Sequence, residues 1–255
     1  MSARTGHNAT TDAGAAMIAA PVPVVLMKDL RFRWPGAESF GLSVPAFDVA
    51  SGERLLLIGP SGSGKSTLLS LLCGIVAPDA GRLEILGRDI ASESGASRDR
   101  FRAEHFGIVF QMFNLLPYAS VLDNVLLPLS FARRRRARAG GPTRMADEAR
   151  RLLARLGLED STMTERVAAR LSVGQQQRVA AARALIGSPE IIVADEPTSA
   201  LDRTARDAFL DLLDAEIARA GSTLVMVSHE EDLSPRFDRV VRLDEIVGPY
   251  GEVAR

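Results

Sequence analysis

The pattern of apolar and polar positions along the chain divides it into strand-like and helix-like segments. We expect strands where a short apolar run, or a strict alternation of apolar and polar residues, lies between turn residues. Six segments fit this description: LRFRW (30–34), ERLLLIGP (53–60), GRLEILG (81–87), FGIVFQ (106–111), EIIVADEP (190–197) and STLVMVSHE (222–230). Because helical patterns separate most of these strands, they indicate a parallel sheet with crossover helices, an α/β fold.

Helical periodicity is clearest after the Gly-rich turn and in the second half of the chain. The segment STLLSLLCGI (66–75) is an apolar helix, and TRMADEARRLLARLG (143–157) carries one apolar stripe with Gly157 suited to end it. A long amphipathic helix is expected to end at Gly221. The whole region from about 114 to 170 has a helical pattern, which predicts a helical lobe on the α/β core.

Length and composition bound the classes of protein that remain. The chain has 255 residues, of which 46% are hydrophobic and 25% charged, and a formal net charge of -1. These values are ordinary for a globular protein, and the absence of a positive excess argues against a nucleic-acid partner. The single cysteine, Cys73, excludes an internal disulfide and fits a reducing compartment.

The first residues of the chain are small, polar and rich in alanine. Residues 1–22 are therefore predicted to be a disordered tail, followed by one folded domain over 23–250. The apolar segment AGAAMIAAPVPVVLM (13–27) is also compatible with a signal peptide, but it contains two prolines and no basic cluster closely precedes it. A tail is the favoured interpretation.

A basic run, RRRRAR (133–138), lies between two predicted helices and is followed by AGGP. Its composition favours a solvated loop. Contact with anionic lipid headgroups is the alternative. Nucleic acid is disfavoured, because no aromatic residues alternate with the arginines.

The segment GPSGSGKST (59–67) matches the phosphate-binding pattern G-x-x-x-x-G-K-[ST] between a predicted strand and a predicted helix. Its glycines allow a tight turn whose N–H groups point at phosphate oxygens, and the helix N-terminus adds its positive end. The predicted nucleotide-binding residues of this loop are Gly59, Pro60, Ser61, Gly62, Ser63, Gly64, Lys65, Ser66 and Thr67.

Three side chains of this loop have separate chemical roles. Lys65 is one of only two lysines in the sequence, and the other positively charged side chains are those of arginine. Its compact ammonium can reach between the β- and γ-phosphates, where a planar guanidinium is too wide. Ser66 offers a hydroxyl to Mg²⁺, and Thr67 can contact the α-phosphate.

Two carboxylates follow the apolar strand in IIVADEP (191–197). They lie at the carboxyl end of a predicted parallel strand, where such sheets bind ligands. Asp195 can hold Mg²⁺ through water, and Glu196 is placed to polarise an attacking water. Together with the Gly-rich loop, this pair indicates nucleoside triphosphate hydrolysis.

The segment LSVGQQQRVAAARAL (171–185) resembles the signature motif of the ATP-binding cassette ATPases and the helix that follows it. The family's usual form is L-S-G-G-Q, and this chain departs from it at Val173. Ser172 and Gly174, which the family directs at phosphate, are retained, as is Gln175. The resemblance covers about residues 24 to 245. It implies a P-loop NTPase (RecA-like) core with an antiparallel β subdomain and a helical lobe, using ATP and Mg²⁺.

The resemblance also assigns roles to isolated residues. Gln111 matches the glutamine that senses Mg²⁺ and the lytic water, and His229 matches the histidine that contacts the γ-phosphate. Asp202 belongs to a loop, SALD (199–202), that crosses the dimer interface. Trp34 falls where the family has an aromatic residue stacked on adenine, although tyrosine is commoner there. The implied catalytic residues are Glu196, His229 and Gln111, and the implied metal ligands are Ser66, Gln111 and Asp195.

Family members work as head-to-tail dimers with two ATP molecules between the copies. The resemblance therefore implies a homodimer in which Ser172 and Gly174 of one copy complete the γ-phosphate site of the other. Hydrolysis would remove the bridging charge and open the dimer.

The stretch FQMFNLLPYASVLDNVLLPL (110–129) resembles the subfamily that serves lipoprotein release, macrolide export and cell-division signalling. The resemblance implies a peripheral ATPase on the cytoplasmic face of the cell membrane, docked on a separate integral membrane permease. Its apolar residues Met112, Phe113, Leu115, Leu116 and Val121 are expected to line a groove for a short helix of that partner. For Val121 and Leu122, a place in the core of the lobe is an equal alternative.

Two functions remain open at this point. One is a transport ATPase that powers export or extraction of an amphiphilic substrate. The other is a mechanical regulator, in which the same engine drives an external domain that controls a cell-wall hydrolase. Transport is the favoured function.

Overall fold

The computed structural model describes residues 23–36, 41–60 and 62–249. The predicted tail at 1–22, the loop residue Ser61 and the last residue of the predicted 23–250 domain lie outside the described residues. The end of the segment considered as a signal peptide, residues 23–27, belongs to a strand in which Val25 and Met27 are fully buried.

The strands, in chain order, are β1 (Pro23–Arg33), β2 (Gly41–Ala50), β3 (Arg54–Ile58), β4 (Ala80–Ile85), β5 (Arg88–Asp89), β6 (Phe106–Val109), β7 (Ile191–Asp195), β8 (Thr223–Ser228), β9 (Arg239–Arg242) and β10 (Gly248–Pro249). The α-helices are α1 (Lys65–Leu72), α2 (Gly95–His105), α3 (Val121–Leu126), α4 (Arg133–Arg138), α5 (Gly141–Arg155), α6 (Val173–Leu185), α7 (Arg203–Ala220) and α8 (Leu243–Ile246). Short 3₁₀ turns lie at Leu127–Ser130, Ser161–Glu165, Ala168–Arg170 and Glu231–Arg236.

The strands form two sheets of five strands each. One sheet is parallel, in the order β6-β7-β8-β3-β9, and the other is antiparallel, in the order β10-β2-β1-β4-β5. The predicted α/β fold with a P-loop core and an antiparallel β subdomain is thereby confirmed. Because β6, β7, β8 and β3 are parallel neighbours, their carboxyl ends meet at one edge of the sheet.

Side chains of the parallel sheet enter two separate hydrophobic cores. In β3, Leu55 and Leu57 pack with α1 and the antiparallel sheet, whereas Leu56 and Ile58 pack with α6, α7 and the helical segments. This division follows from the alternation of side chains across a strand. Burial on both faces explains why the strands of this sheet read as continuous apolar runs in the sequence.

Two helix ends follow the predicted glycine signals. Helix α5 is followed by Gly157 at φ +77°, whose N–H donates to the carbonyl oxygen of Ala154 at 2.9 Å. Helix α7 ends at Gly221 at φ +65°. Glycine adopts such left-handed angles without a steric penalty, so both positions terminate their helices. Among the helices of the described segments, none is long and apolar enough to cross a membrane.

The prediction of a loop at residues 133–138 is wrong, because this run forms helix α4. Arg133, Arg134, Ala137 and Arg138 are exposed as expected, but Arg135 is only 2% exposed. The Arg135 guanidinium donates to the carbonyl oxygens of Phe106 at 2.7 Å, Ala184 at 2.8 Å and Ile186 at 2.7 Å. The end of α6 has carbonyl groups without intrahelical partners, which Arg135 satisfies. Burial lowers the pKa of Arg135 to about 10. Composition could not reveal this contact, since the partners lie 29 to 51 residues away.

Candidate active site

The Gly-rich loop connects β3 to α1 through two glycines in left-handed conformation, Gly62 at φ +81° and Gly64 at φ +97°. Gly64 directly precedes the first turn of α1. The ammonium of Lys65 donates to the carbonyl oxygens of Gly59 at 2.7 Å and Pro60 at 3.0 Å. Lys65 is therefore folded back over its own loop, where its charge is held close to the cavity described next.

A polar cavity of about 430 Å³ lies at the N-terminal end of α1. Its lining comes from three distant stretches of chain that the parallel sheet brings to one edge. The residues that line it are Gly62, Gly64, Lys65, Ser66, Thr67, Gln111, Asp195 and Glu196. The structure thus brings together the predicted phosphate loop, the predicted metal ligands and two of the three predicted catalytic residues.

The two carboxylates differ in how the backbone presents them. Asp195 is the last residue of β7, and its pKa is raised by burial and by the negative charge of Glu196, with the positive charge of Lys65 opposing the shift. Glu196 has φ +44°, a left-handed angle that is unfavourable for a non-glycine residue. Its N–H donates to the carbonyl oxygen of Val227 at 2.9 Å, which fixes the turn.

His229 follows β8 and reaches the same carboxylate. Its Nδ1 atom lies 3.3 Å from Oε2 of Glu196, while Oε1 lies 3.7 Å from the ammonium of Lys65. The next residue, Glu230, is fixed by a hydrogen bond from its N–H to Oγ of Ser228 at 3.0 Å. All three predicted catalytic residues therefore belong to one site, with His229 at its more exposed side.

Trp34, the predicted adenine-stacking residue, lies against the phosphate loop. Its indole Nε1–H donates to Oγ1 of Thr67 at 3.1 Å, and its ring contacts Phe32 edge-on at 5.1 Å. The ring remains 37% exposed. An aromatic surface is thus available next to the cavity, at a distance fixed by a hydrogen bond to the loop itself.

The signature residues form the start of α6. The Ser172 hydroxyl accepts a hydrogen bond from the Gln175 N–H at 3.3 Å, and the Gln175 side chain accepts one from the Ser172 N–H at 3.0 Å. This reciprocal capping box fixes both side chains. Val173, where the family has glycine, is 49% exposed. The departure from the family motif is therefore accommodated on the surface.

Asp202 caps the start of α7 in the same manner, accepting a hydrogen bond from the Ala205 N–H at 2.9 Å. In the part of the chain that the structure describes, the polar cavity is not lined by Ser172, Gly174, Gln175 or Asp202. The chain therefore presents two separate halves of the predicted site, one around Lys65 and the other at the beginnings of α6 and α7.

Two residues that hold these loops were missed in the sequence. Gln177 is 1% exposed and donates from Nε2 to the carbonyl oxygen of Pro197 at 2.6 Å, directly after Glu196. Arg206, in α7, forms ion pairs with Glu230 and with Asp232. The role of Gln177 could have been predicted, because it is a polar residue on the buried face of a predicted helix. The ion pairs of Arg206 could not, because its partners are more than 20 residues away in the sequence.

None of the residues predicted to line a groove for a partner helix (Met112, Phe113, Leu115, Leu116 and Val121) lines the apolar groove that the structure has nearby. Phe113 and Val121 are buried in the core, which Leu115 and Leu122 also contact, and Met112 projects into solvent with 81% of its surface exposed. An apolar groove of about 460 Å³ lies beside them. It is lined by Asp99, Arg100, Arg102, Ala103, Phe106, Gly107, Ile108, Phe110, Asn114, Pro128, Phe131, Arg135, Arg183 and Ala184.

A Gly-rich loop between a strand and a helix, with paired carboxylates at the end of an adjacent parallel strand, defines a P-loop nucleoside triphosphatase. A family model described as ABC transporter matches residues 42–199. The chain therefore belongs to the ABC transporter family, as an ATPase that resembles its lipoprotein-release and macrolide-export members.

Relatives agree with this assignment over most of the chain. The chain is 38% identical over 223 residues to the macrolide export ATP-binding/permease protein MacB of Rhodopseudomonas palustris, covering 87% of this chain and 33% of that protein. It is 40% identical over 198 residues to the lipoprotein-releasing system ATP-binding protein LolD of Chromohalobacter salexigens, covering 78% and 80%. The chain thus spans a third of the length of the macrolide export relative.

A solved structure shares the fold. The dimeric structure of the ATP-binding cassette MJ0796 in a post-hydrolysis state, bound to ADP and Pi, has a TM-score of 0.75 and 32% sequence identity. The match covers 91% of this chain and 97% of the other.

Proposed function

We propose that this chain is the nucleotide-binding subunit of a membrane complex, in which ATP hydrolysis at the cavity around Lys65 powers export or extraction of an amphiphilic substrate. The observation that carries the proposal is the contact of one carboxylate, Glu196, with both Lys65 and His229 at 3.7 and 3.3 Å. A phosphate-binding cation, a base and a second proton-carrying group thereby meet at one point.

The cavity suits Mg²⁺ together with a nucleotide. Ser66, Gln111 and Asp195 offer oxygen atoms to the same cavity, the ligand type that Mg²⁺ prefers. Among the described residues, no group of three or more His, Cys, Asp or Glu side chains is suited to hold a metal. The phosphate oxygens of the substrate would therefore complete the coordination. Bound there, Mg²⁺ would supply positive charge to the transferring phosphoryl group.

Each chain residue has a role that its position supports. Lys65 exchanges its carbonyl partners for phosphate oxygens when ATP enters the loop. Glu196 accepts a proton from the attacking water, and His229, which shares that carboxylate, orients the γ-phosphate. Thr67 contacts the α-phosphate, and Trp34 stacks on the adenine.

The second half of the site comes from another copy of the chain. Ser172 and Gly174, with Gln175, lie at the start of α6, and Asp202 lies at the start of α7, where backbone N–H groups attract anions. A head-to-tail homodimer would bring Ser172 and Gly174 to the partner's γ-phosphate and place Asp202 in the loop that crosses the dimer interface. ATP then joins the two copies, and its hydrolysis separates them.

The apolar groove beside the cavity is the docking site for a membrane subunit. Phe110 and Asn114, which flank the Gln111 loop, both line the groove. A short cytoplasmic helix of a permease, presenting apolar residues, would thus press on the loop that carries Gln111. Phe131, which is 70% exposed, extends the apolar surface. Docking there makes the chain peripheral on the cytoplasmic face of the membrane, in keeping with the names of its lipoprotein-releasing and macrolide-export relatives.

A capture experiment tests the proposal. Glu196→Gln, which retains the ATP site but lacks the base, is loaded with ATP and Mg²⁺, then purified from native membranes in mild detergent. Lys65→Ala, which should not bind ATP, is the matched control. We expect mass spectrometry to identify a membrane protein with an external domain, recovered with Glu196→Gln and depleted with Lys65→Ala.

The identity of the captured protein separates the two functions left open by the sequence. An external domain that binds lipid-like cargo supports transport, whereas one that binds a cell-wall hydrolase supports mechanical regulation. Recovery of only soluble proteins, ribosomes or DNA-bound complexes would contradict docking at a membrane and leave only the ATPase.

A further inference from the structure

A second buried arginine, Arg183, connects helix α6 to the loop that carries Gln111. Arg183 is 9% exposed, and its guanidinium donates from Nη1 to the carbonyl oxygen of Asn114 at 2.7 Å and from Nη2 to that of Phe113. Burial lowers the pKa of Arg183. A buried cation whose hydrogen-bond partners are backbone carbonyls is costly to desolvate, so its contacts need an explanation beyond packing.

The two carbonyl groups belong to an unfavourable turn. Phe113 and Asn114 are consecutive non-glycine residues with left-handed angles, at φ +57° and +50°. Left-handed angles are sterically unfavourable for residues with a Cβ atom, above all for one as bulky as phenylalanine. The turn begins immediately after Gln111 and Met112, and it persists because surrounding groups hold it. Arg183 supplies two of the hydrogen bonds that do so.

Helix α6 also holds the segment that carries Glu196, another residue of the cavity lining. Gln177, on the same helix, donates to the carbonyl oxygen of Pro197, the residue after Glu196. The N-terminal cap of the helix is the signature residue Ser172. One rigid element thus contacts the Gln111 loop near its C-terminal end and the Glu196 segment near its middle, and presents the signature motif at its beginning.

We infer that Arg183 is a positioning residue, which fixes the Gln111 loop to α6 so that Gln111 and the signature serine move as one body. This inference rests on the role of Gln111 in the proposed function. Pressure on the groove, which Asn114 and Arg183 both line, is passed through these hydrogen bonds to the helix that begins at Ser172.

Arg135 provides a matched control. It is also a buried arginine that lines the same groove and donates to backbone carbonyls. Those carbonyls belong to Ala103, Phe106, Arg183, Ala184 and Ile186, and none of them lies in the Gln111 loop. A purely structural role predicts the same behaviour for both arginines. A positioning role predicts that only Arg183 affects the Gln111 loop.

The first readout is amide hydrogen exchange of peptide 110–116 in the absence of nucleotide, with urea unfolding as a measure of global stability. In the native loop, the Phe113 N–H donates to the Phe110 carbonyl and the Asn114 N–H to the Met112 carbonyl. We expect Arg183→Met to accelerate exchange of this peptide by about tenfold, and Arg183→Lys, which keeps a donor, by less. Arg135→Lys should lower global stability without selective exchange in this peptide.

The second measurement is steady-state ATP hydrolysis, which separates effects on kcat from effects on KM. Arg183→Met should lower kcat by about tenfold with KM within about twofold, because Lys65 and Trp34 are untouched. Arg183→Lys should recover part of this loss, and Gln111→Ala measured alongside should reproduce it.

The inference is overturned if Arg183→Met leaves amide exchange of peptide 110–116 unchanged. It is also overturned if Arg183→Met accelerates this exchange but keeps the wild-type kcat, while Gln111→Ala lowers kcat. Equal effects of Arg135→Lys and Arg183→Lys on the peptide also overturn it. Failure of the wild-type chain to hydrolyse ATP would instead contradict the proposed function, and the exchange measurement would still decide whether Arg183 holds the loop.

Discussion

The Nδ1 atom of His229 lies 3.3 Å from Oε2 of Glu196. The two residues come from the ends of adjacent parallel strands, β8 and β7, and the Glu196 N–H is bound to the backbone of β8 as well. The relative position of the proposed base, Glu196, and His229 is therefore set by the pairing of these two strands.

Replacement of His229 by alanine should reduce hydrolysis far more than binding. We expect kcat to fall by about 100-fold or more, because a positioned proton-carrying group is lost, while ATP affinity stays within about threefold. Phosphate release and quenching of Trp34, the only tryptophan, measure the two quantities. His105→Gln is the control, since His105 binds Glu190 and does not line the polar cavity. Equal losses in both variants would remove His229 from the site.

Trp34 is expected to contribute to ATP affinity through its ring. Trp34→Ala should weaken ATP binding by about tenfold, roughly 1.4 kcal/mol, the range of base stacking on an aromatic side chain. Trp34→Tyr retains a ring and should lose less. Isothermal titration calorimetry measures both variants, since each lacks the fluorophore. Identical affinities for Trp34→Ala and wild type would show that the base stacks elsewhere.

The departure of Val173 from the family motif should have little effect on assembly. Val173→Gly should lower the free energy of unfolding by about 0.5 kcal/mol, because glycine loses more backbone conformational entropy than valine when the first turn of the helix forms. ATP-dependent dimerisation in the Glu196→Gln background should change by less than about threefold, as for a surface position without a specific contact. Sedimentation velocity measures the dimer. A tenfold change would mean that Val173 itself touches the partner copy.

Glu190 should make stability dependent on acid pH. Burial opposes its ionisation, but hydrogen bonds from His105 and Arg138 outweigh burial and lower the pKa of Glu190 from 4.5 to about 2. Because the folded-state pKa lies below the unfolded one, the contribution is complete above pH 4.5 and is lost as the pH falls toward 2. The side chain is 35% exposed, so solvent screening reduces the contribution to about 1–2 kcal/mol.

Urea unfolding of wild type and Glu190→Gln at pH 7 and pH 3 measures this effect. We expect the difference in unfolding free energy at pH 3 to be about half of that at pH 7 or less. A difference that is the same at both pH values would show that the carboxylate acts through shape or neutral hydrogen bonds.

Elements whose cause is local could be predicted from the sequence. The strand before GPSGSGKST, the helix after it and the helix ends at Gly157 and Gly221 each follow from residues adjacent in the chain. The cavity could be anticipated as well, because parallel strands bring their carboxyl ends together whatever the residues between them. The family resemblance supplied the role of Gln111, which the pattern alone did not.

Features that depend on distant partners could not be predicted. The arginine run looks solvated by composition, yet Arg135 is buried because carbonyl groups of β6 and α6 converge on it. Phe113 reads as a groove residue, but the left-handed turn directs it into the core. In both cases the hydrogen bonds that determine the position of the residue join it to segments distant in the sequence. They come from Arg135 in α4 and from Arg183 in α6.

The capping box at the start of α6 has a further consequence for assembly. In that motif the Ser172 oxygen acts as the acceptor, so its own hydroxyl hydrogen stays available to donate to an anion. The side chain is already confined to one rotamer by the Gln175 N–H, and little conformational entropy remains to be lost when a second copy approaches. In the proposed homodimer, Ser172 would therefore be preorganised as a ligand for ATP, which would favour rapid association of the two copies.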